Sequence, residues 1–164
     1  KSTIFIITFR TSHAPSQPHV EGYKAALQKA GLPVEESKIL IVDEPEAENA
    51  SRVLRKVFSE KEYPHAIFAC TDLLTLAVLR EATAAGIAIP EEMALIGFDD
   101  SPWGAFIQPP LTVITQDAQS LGSKAASLLF DRIQGIRNNR PEEFIIQVNL
   151  IVRNSCGEKV KVND

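Results

Sequence analysis

Short apolar runs alternate with helix-patterned segments along this 164-residue sequence, and that alternation constrains the fold more than any single motif. Thr3–Phe9, Ile39–Val42, Ala66–Cys70, Leu95–Phe98 and Leu111–Ile114 read as short buried strands. Between them, His19–Ala30, Ala47–Lys61 and Leu73–Ala85 carry apolar residues at helical spacing, and Gly31 and Gly86 stop two of them. Strands this short, separated by helices of roughly 12 residues, predict βαβ units: an α/β fold whose parallel sheet is flanked by helices on both faces. Further on, Ser120–Gln134 reads as an amphipathic helix ending at Gly135. Phe144–Val152 alternates Phe144, Ile146, Val148, Leu150 and Val152, the pattern of a long half-buried strand. Thr11–Pro18 and Asn138–Glu142 read as loops, and Ser101–Pro110 as a loop unusually rich in Trp, Phe and Pro.

The length suits about one domain, and such a chain can bury about 68–70% of its unfolded surface. With 17 Lys and Arg against 21 Asp and Glu, the net charge is 17 − 21 = −4, which argues against this chain itself gripping a phosphate backbone. No apolar run approaches the ~18 residues of a membrane span. Cys70 closes an apolar run and reads as a small buried hydrophobe; nothing pairs it with the distant Cys156, so a reducing cytoplasm is the expected compartment. The sequence opens on Lys1, directly into a strand-like run, as a piece of a longer protein does.

Motifs for catalysis are missing. The closest two glycines are seven positions apart, so neither a dinucleotide fingerprint nor a P-loop fits. The cysteines lack metal spacing, His13, His19 and His65 form no helical ligand pair, and no serine sits in a G-x-S-x-G turn. No enzyme activity, cofactor or metal is expected.

Open α/β sheets bind ligands beyond the carboxyl ends of their strands. Asp72 follows the run Ala66–Cys70 there, and Asp99 and Asp100 follow Leu95–Phe98. Carboxylates at such an edge can accept hydrogen bonds from the hydroxyls of a polyol or sugar. Asp72 equally fits the N-cap of the next helix, and one of the adjacent acids Asp99 and Asp100 is more than a cap needs. The helix Leu73–Ala85 is apolar almost all the way round, more than a helix lying on one sheet face requires. The excess predicts a subunit interface built on Leu73, Leu74, Ala77 and Val78, joined by Trp103 and Phe106; a core role is the competing reading.

Several segments resemble the LacI/GalR family of bacterial transcription regulators. They are Ile89–Asp100 (IPEEMALIGFDD), Gln108–Gln116 (QPPLTVITQ), Gly22–Leu27 (GYKAAL), Ala66–Asp72 (AIFACTD) and the closing Leu150–Ser155 (LIVRNS), in order over almost the whole chain. The resemblance implies one lobe, plus a crossover helix, of a two-lobed fold like the periplasmic sugar-binding proteins. Residues 1–116 and 144–152 then form the second lobe, and 117–140 cross toward the first. The N-terminal helix-turn-helix and most of the first lobe lie outside this sequence. It further implies a homodimer that binds operator DNA through that headpiece and senses a small effector (a sugar, sugar phosphate or nucleobase) in the cleft. The effector contacts it implies are Asp99, Gln116, Thr71, Asp72 and His19, with His19 standing where most members carry Arg. A solute-binding protein of an uptake system is the alternative on the same fold.

Overall fold

The computed structural model describes residues 3–10, 16–60, 63–136 and 141–158. The element order is β1 (Ile4–Phe9), α1 (Ser16–Lys29), β2 (Ile39–Val42), α2 (Ala47–Phe58), β3 (Ala66–Ala69), α3 (Asp72–Ala85), β4 (Ala94–Phe98), β5 (Thr112–Thr115), α4 (Ala118–Ile133) and β6 (Asn149–Ile151). The strands form one sheet in the order β2-β1-β3-β4-β5-β6. The first five are parallel, with Ile6 opposite Ile39, Phe5 opposite Ile67, Ile67 opposite Leu95 and Gly97 opposite Val113.

Two apolar layers cover the sheet. On one face Ile6 and Cys70 pack with Tyr23 and Leu27 of α1. On the other, Ile7, Ile67, Leu95 and Val113 pack with Leu54 and Phe58 of α2 and Leu74, Ala77 and Val78 of α3. Each large side chain buried this way stabilises the fold by about 1.5–3 kcal/mol. The surplus apolar surface of α3 thus has an occupant within the chain: α3 packs against both the sheet and α2. Glu81 marks that seam; its buried carboxylate accepts from Arg55 Nε at 3.1 Å and Arg80 Nε at 3.0 Å. Leu74, Ala77 and Val78, expected at a subunit interface, are core residues here and offer nothing to a partner.

Close approach of α3 to the sheet depends on Gly97. A Cβ there meets Thr75 Oγ1 at 2.9 Å, Thr75 Cγ2 at 3.0 Å and Leu111 Cδ2 at 3.3 Å.

The C-terminal region departs from the sequence reading. The expected long strand Phe144–Val152 is only Asn149–Ile151, and it runs antiparallel to β5, making the sheet mixed. The ladder ends at Thr115 opposite Asn149, because the chain leaves β5 at Gln116 for α4, so residues 144–148 find no neighbouring strand. Their alternation remains unburied: Ile145 is 87% exposed and Val148 53%. Helix α4 likewise buries no residue, and Leu129, Phe130 and Ile133 stand exposed along it. Ser16–Pro18, read as loop, form the first turn of α1. The rest of that loop, 11–15 with His13, and 138–140 of the second loop lie outside the described residues.

After β6 the chain locks the lobe. Ser155 Oγ accepts from Thr112 N at 2.8 Å and donates to Leu95 O at 2.7 Å, and Arg153 N donates to Thr112 Oγ1 at 2.9 Å.

Candidate functional site

The sheet reverses its winding between β1 and β3: β2 lies on one side of β1 and β3 on the other. Beyond the carboxyl ends of strands at such a switch point is where open α/β sheets hold ligands. Five sequence-flagged residues belong to this edge, and the structure joins some of them more closely than others.

Asp99 directly follows β4 in a left-handed conformation, φ +65°, the one positive-φ non-glycine residue among those described. For an aspartate this costs on the order of 1 kcal/mol and persists only where neighbours fix it. They do so here. Asp99 N donates to Ile114 O at 2.8 Å, and Gln116 Nε2 donates to Asp99 Oδ1 at 3.1 Å. Asp99 and Gln116 are therefore one exposed acceptor–amide pair bridging the ends of β4 and β5. One carboxylate oxygen and the amide oxygen stay free of each other for further bonds.

Asp100 has a different task. Its carboxylate takes a forked pair from Arg153, Nη1 to Oδ1 at 2.8 Å and Nη2 to Oδ2 at 2.9 Å, while Nη1 also reaches Leu111 O at 2.8 Å. The guanidinium holds the Asp100 carboxyl below the usual carboxylate range. The adjacent acids thus divide: Asp100 ties the segment after β6 to the residues flanking β4 and β5, and Asp99 faces solvent.

His19 sits in the second turn of α1, half-buried, 5.0 Å from the Phe98 ring at 55° and 6.3 Å from the Phe68 ring nearly edge-on. Burial lowers its pKa, so its imidazole is neutral at pH 7. The two phenylalanines were not singled out from sequence. Phe98 carried a usable signal, as an aromatic closing a strand one residue before a candidate acid.

Thr71, not Asp72, caps α3: Thr71 Oγ1 accepts from Leu74 N at 3.2 Å, and its carbonyl accepts from Thr75 Oγ1 at 2.8 Å. Asp72 is the first helical residue and makes no hydrogen bond to Asp99 or Gln116 among the described residues. The capping alternative for Asp72 is corrected in favour of its neighbour, whose backbone is extended, as a cap requires. Of the remaining interface candidates, Leu73 and Trp103 are half-buried against the core, and Phe106 is 85% exposed.

Among the described residues no group of three His, Cys, Asp or Glu is arranged to hold a metal, and no helix is long and apolar enough to cross a membrane. Burial pushes the Cys70 thiol up to about 12, as expected of a packing residue.

Residues 2–156 match a family described as periplasmic binding protein-like domain. The HTH-type transcriptional regulator CelR of Thermobifida fusca is 32% identical over 136 residues, 83% of this chain and 39% of CelR. The HTH-type transcriptional repressor PurR of Pasteurella multocida is 30% identical over 160 residues, 96% of this chain and 46% of PurR. A solved transcriptional regulator CelR–cellobiose complex superposes with a TM-score of 0.84 at 30% identity, over 93% of this chain and 46% of that one. The chain spans less than half the length of these relatives.

Proposed function

The chain belongs to the periplasmic binding protein-like domain family, and on that premise we propose that it is the effector-sensing and dimerising part of a LacI/GalR-type transcriptional regulator responding to a sugar or related small metabolite. The observation that carries the reading is the Asp99–Gln116 pair, strained and hydrogen-bonded at the ligand edge of the fold. Its likeness to a regulator solved with cellobiose supports it, as does the regulator identity of both relatives. On this reading Asp99 and Gln116 hold ligand hydroxyls, with Thr71, Asp72 and His19 around them.

Residues 1–116 and 144–152 act as one lobe, and 117–140 cross to the other. The exposed apolar face of α4 is the surface that seats on the rest of that other lobe. An effector touching both lobes favours one closure, and shifts the equilibrium only by its differential affinity for the two states. Dimerisation uses what α3 and the loop after β4 leave open: Leu76, Leu73, Trp103 and Phe106. Operator DNA is contacted in the cytoplasm by a helix-turn-helix segment of the longer protein, not by this net-acidic domain; the domain performs no catalysis.

The test uses the full-length protein and DNA selected by it from a random-sequence pool. Cellobiose, glucose, other sugars and nucleobases are then screened for a change in affinity for that DNA. The expected result is a change of at least tenfold with one of them, removed by Asp99→Asn while ligand-free DNA binding persists. No selected DNA, or a ligand response untouched by Asp99→Asn, rejects the reading.

A further inference from the structure

The segments leading into α4 and out of β6 both end on the acids behind β4. Gln116, the first residue after β5, donates through its amide to Asp99 Oδ1 at 3.1 Å. Arg153, the second residue after β6, forks onto the carboxylate of Asp100. One segment therefore touches Asp99 directly, and the other touches the residue that follows it.

Arg153 has little freedom. Its N–H donates to Thr112 Oγ1 at 2.9 Å, and its carbonyl accepts from the same hydroxyl at 3.0 Å. Asn154 N and Ser155 N both donate to Pro110 O, at 3.1 and 3.0 Å. The Arg153 and Asp100 side chains are only 19% and 27% exposed. A planar fork fixed at its backbone end dictates where the Asp100 carboxylate lies. Asp99, just before it, stands at φ +65° with its N–H bonded to Ile114 O at 2.8 Å. An aspartate left to itself relaxes to negative φ. With its amide pinned on one side and Asp100 pinned on the other, Asp99 has no slack in which to do so.

We propose that Arg153 is a positioning residue for Asp99: acting through Asp100, it holds the left-handed conformation that presents the second Asp99 carboxylate oxygen at the ligand edge. Ligand affinity is thereby tied to the segment that follows β6. The guanidinium is committed to Asp100 and Leu111 O, so it works through its neighbour. The inference rests on the functional reading above for what Asp99 binds, and adds the residue that sets its geometry.

The experiment compares full-length wild type, Arg153→Lys, Asp100→Asn, Ser155→Ala, Asp99→Asn and the double variant Arg153→Lys/Asp99→Asn, each below its melting temperature. Hydrogen exchange at the Asp99 amide is read without ligand, resolved by fragmentation mass spectrometry. Calorimetry then gives the affinity for whichever of cellobiose, glucose, adenine and guanine the wild type binds. Arg153→Lys and Asp100→Asn should each speed that exchange, and weaken binding, by about tenfold. In the Asp99→Asn background, Arg153→Lys should weaken binding by less than about twofold, because its effect passes through Asp99. Ser155→Ala loosens the same segment at Thr112 and Leu95 without touching Asp100. It should lower stability, yet shift Asp99 exchange and affinity by less than about threefold. Exchange at Asp99 unchanged by Arg153→Lys overturns the proposal. So do additive losses in the double variant, or a Ser155→Ala as damaging to binding as Arg153→Lys, since both mark a general loss of stability. Binding indifferent to Asp99→Asn, or absent for all four compounds, rejects the functional reading beneath it, while the exchange result still decides whether Arg153 holds Asp99.

Discussion

Arg153 grips Asp100 with both terminal guanidinium nitrogens, at 2.8 and 2.9 Å, across 53 positions of sequence. The pair fastens the segment after β6 to the residue after Asp99, so the geometry of the ligand edge depends on a contact outside it.

Arg153→Lys keeps the charge and loses the fork, leaving Asp100 and Leu111 O short of donors. We expect about 1–3 kcal/mol of destabilisation by urea titration, with weaker ligand binding. The pH dependence follows from the lowered Asp100 pKa. Its contribution is present above the unfolded value of about 3.8 and is lost as pH falls through the lower folded value. In Arg153→Lys the acid limb of the stability profile should be shallower; an unchanged limb assigns the acid sensitivity elsewhere.

Gly97→Ala forces a Cβ against Thr75 and Leu111. Overpacking of this kind costs about 1–3 kcal/mol. Adding Thr75→Ala removes both of the closest atoms, so the double variant should be more stable than the sum of the two singles, read from denaturation midpoints. Strict additivity refutes the contact as the cause.

Asp99→Asn should weaken ligand binding at least tenfold and Asp72→Asn by less than about threefold, since hydrogen bonds to a charged acceptor contribute about 1.5–3 kcal/mol and only Asp99 is held beside a second polar group. Equal losses in calorimetry on the full-length protein reverse that ranking.

His19 gives a pH signature of opposite origin. Burial lowers its pKa below 6.5, so the unfolded chain takes the proton first on acidification. Its contribution is complete above about pH 6.5 and is lost as pH falls through the lowered folded value. His19→Gln should flatten stability over that window in thermal melts; a slope equal to wild type's places the titrating group elsewhere.

The fold was legible because its signals are local. β2 was read with both ends as found, and α2 and α3 with one end each, because apolar spacing and glycine stops act within a few residues. The strand containing β6 was read too long, and its antiparallel direction missed, for a non-local reason: whether 144–148 pair depends on where β5 ends, 30 residues earlier. Leu74, Ala77 and Val78 were assigned to an interface because an all-round apolar helix looks the same whether its second face meets α2 or another molecule. At the ligand edge, the acids after β3 and β4 were visible from topology, but their division of labour was not. Nothing near Asp100 in sequence announces Arg153, and the stacking of His19 on Phe98 joins residues 79 positions apart.

Thr115 and Asn149 are direct neighbours in the β5–β6 ladder, and the chain leaves the sheet just after one and returns just before the other. Among the described residues between them, α4 buries no side chain, so the Thr115–Asn149 rung is where that segment joins the sheet. Two strands side by side resist stretching and shear through their shared hydrogen bonds, yet yield to torsion about their common axis. On the functional reading proposed above, what α4 carries turns about this pair of strands more readily than it slides along them, and force between the two lobes arrives as torque next to Gln116.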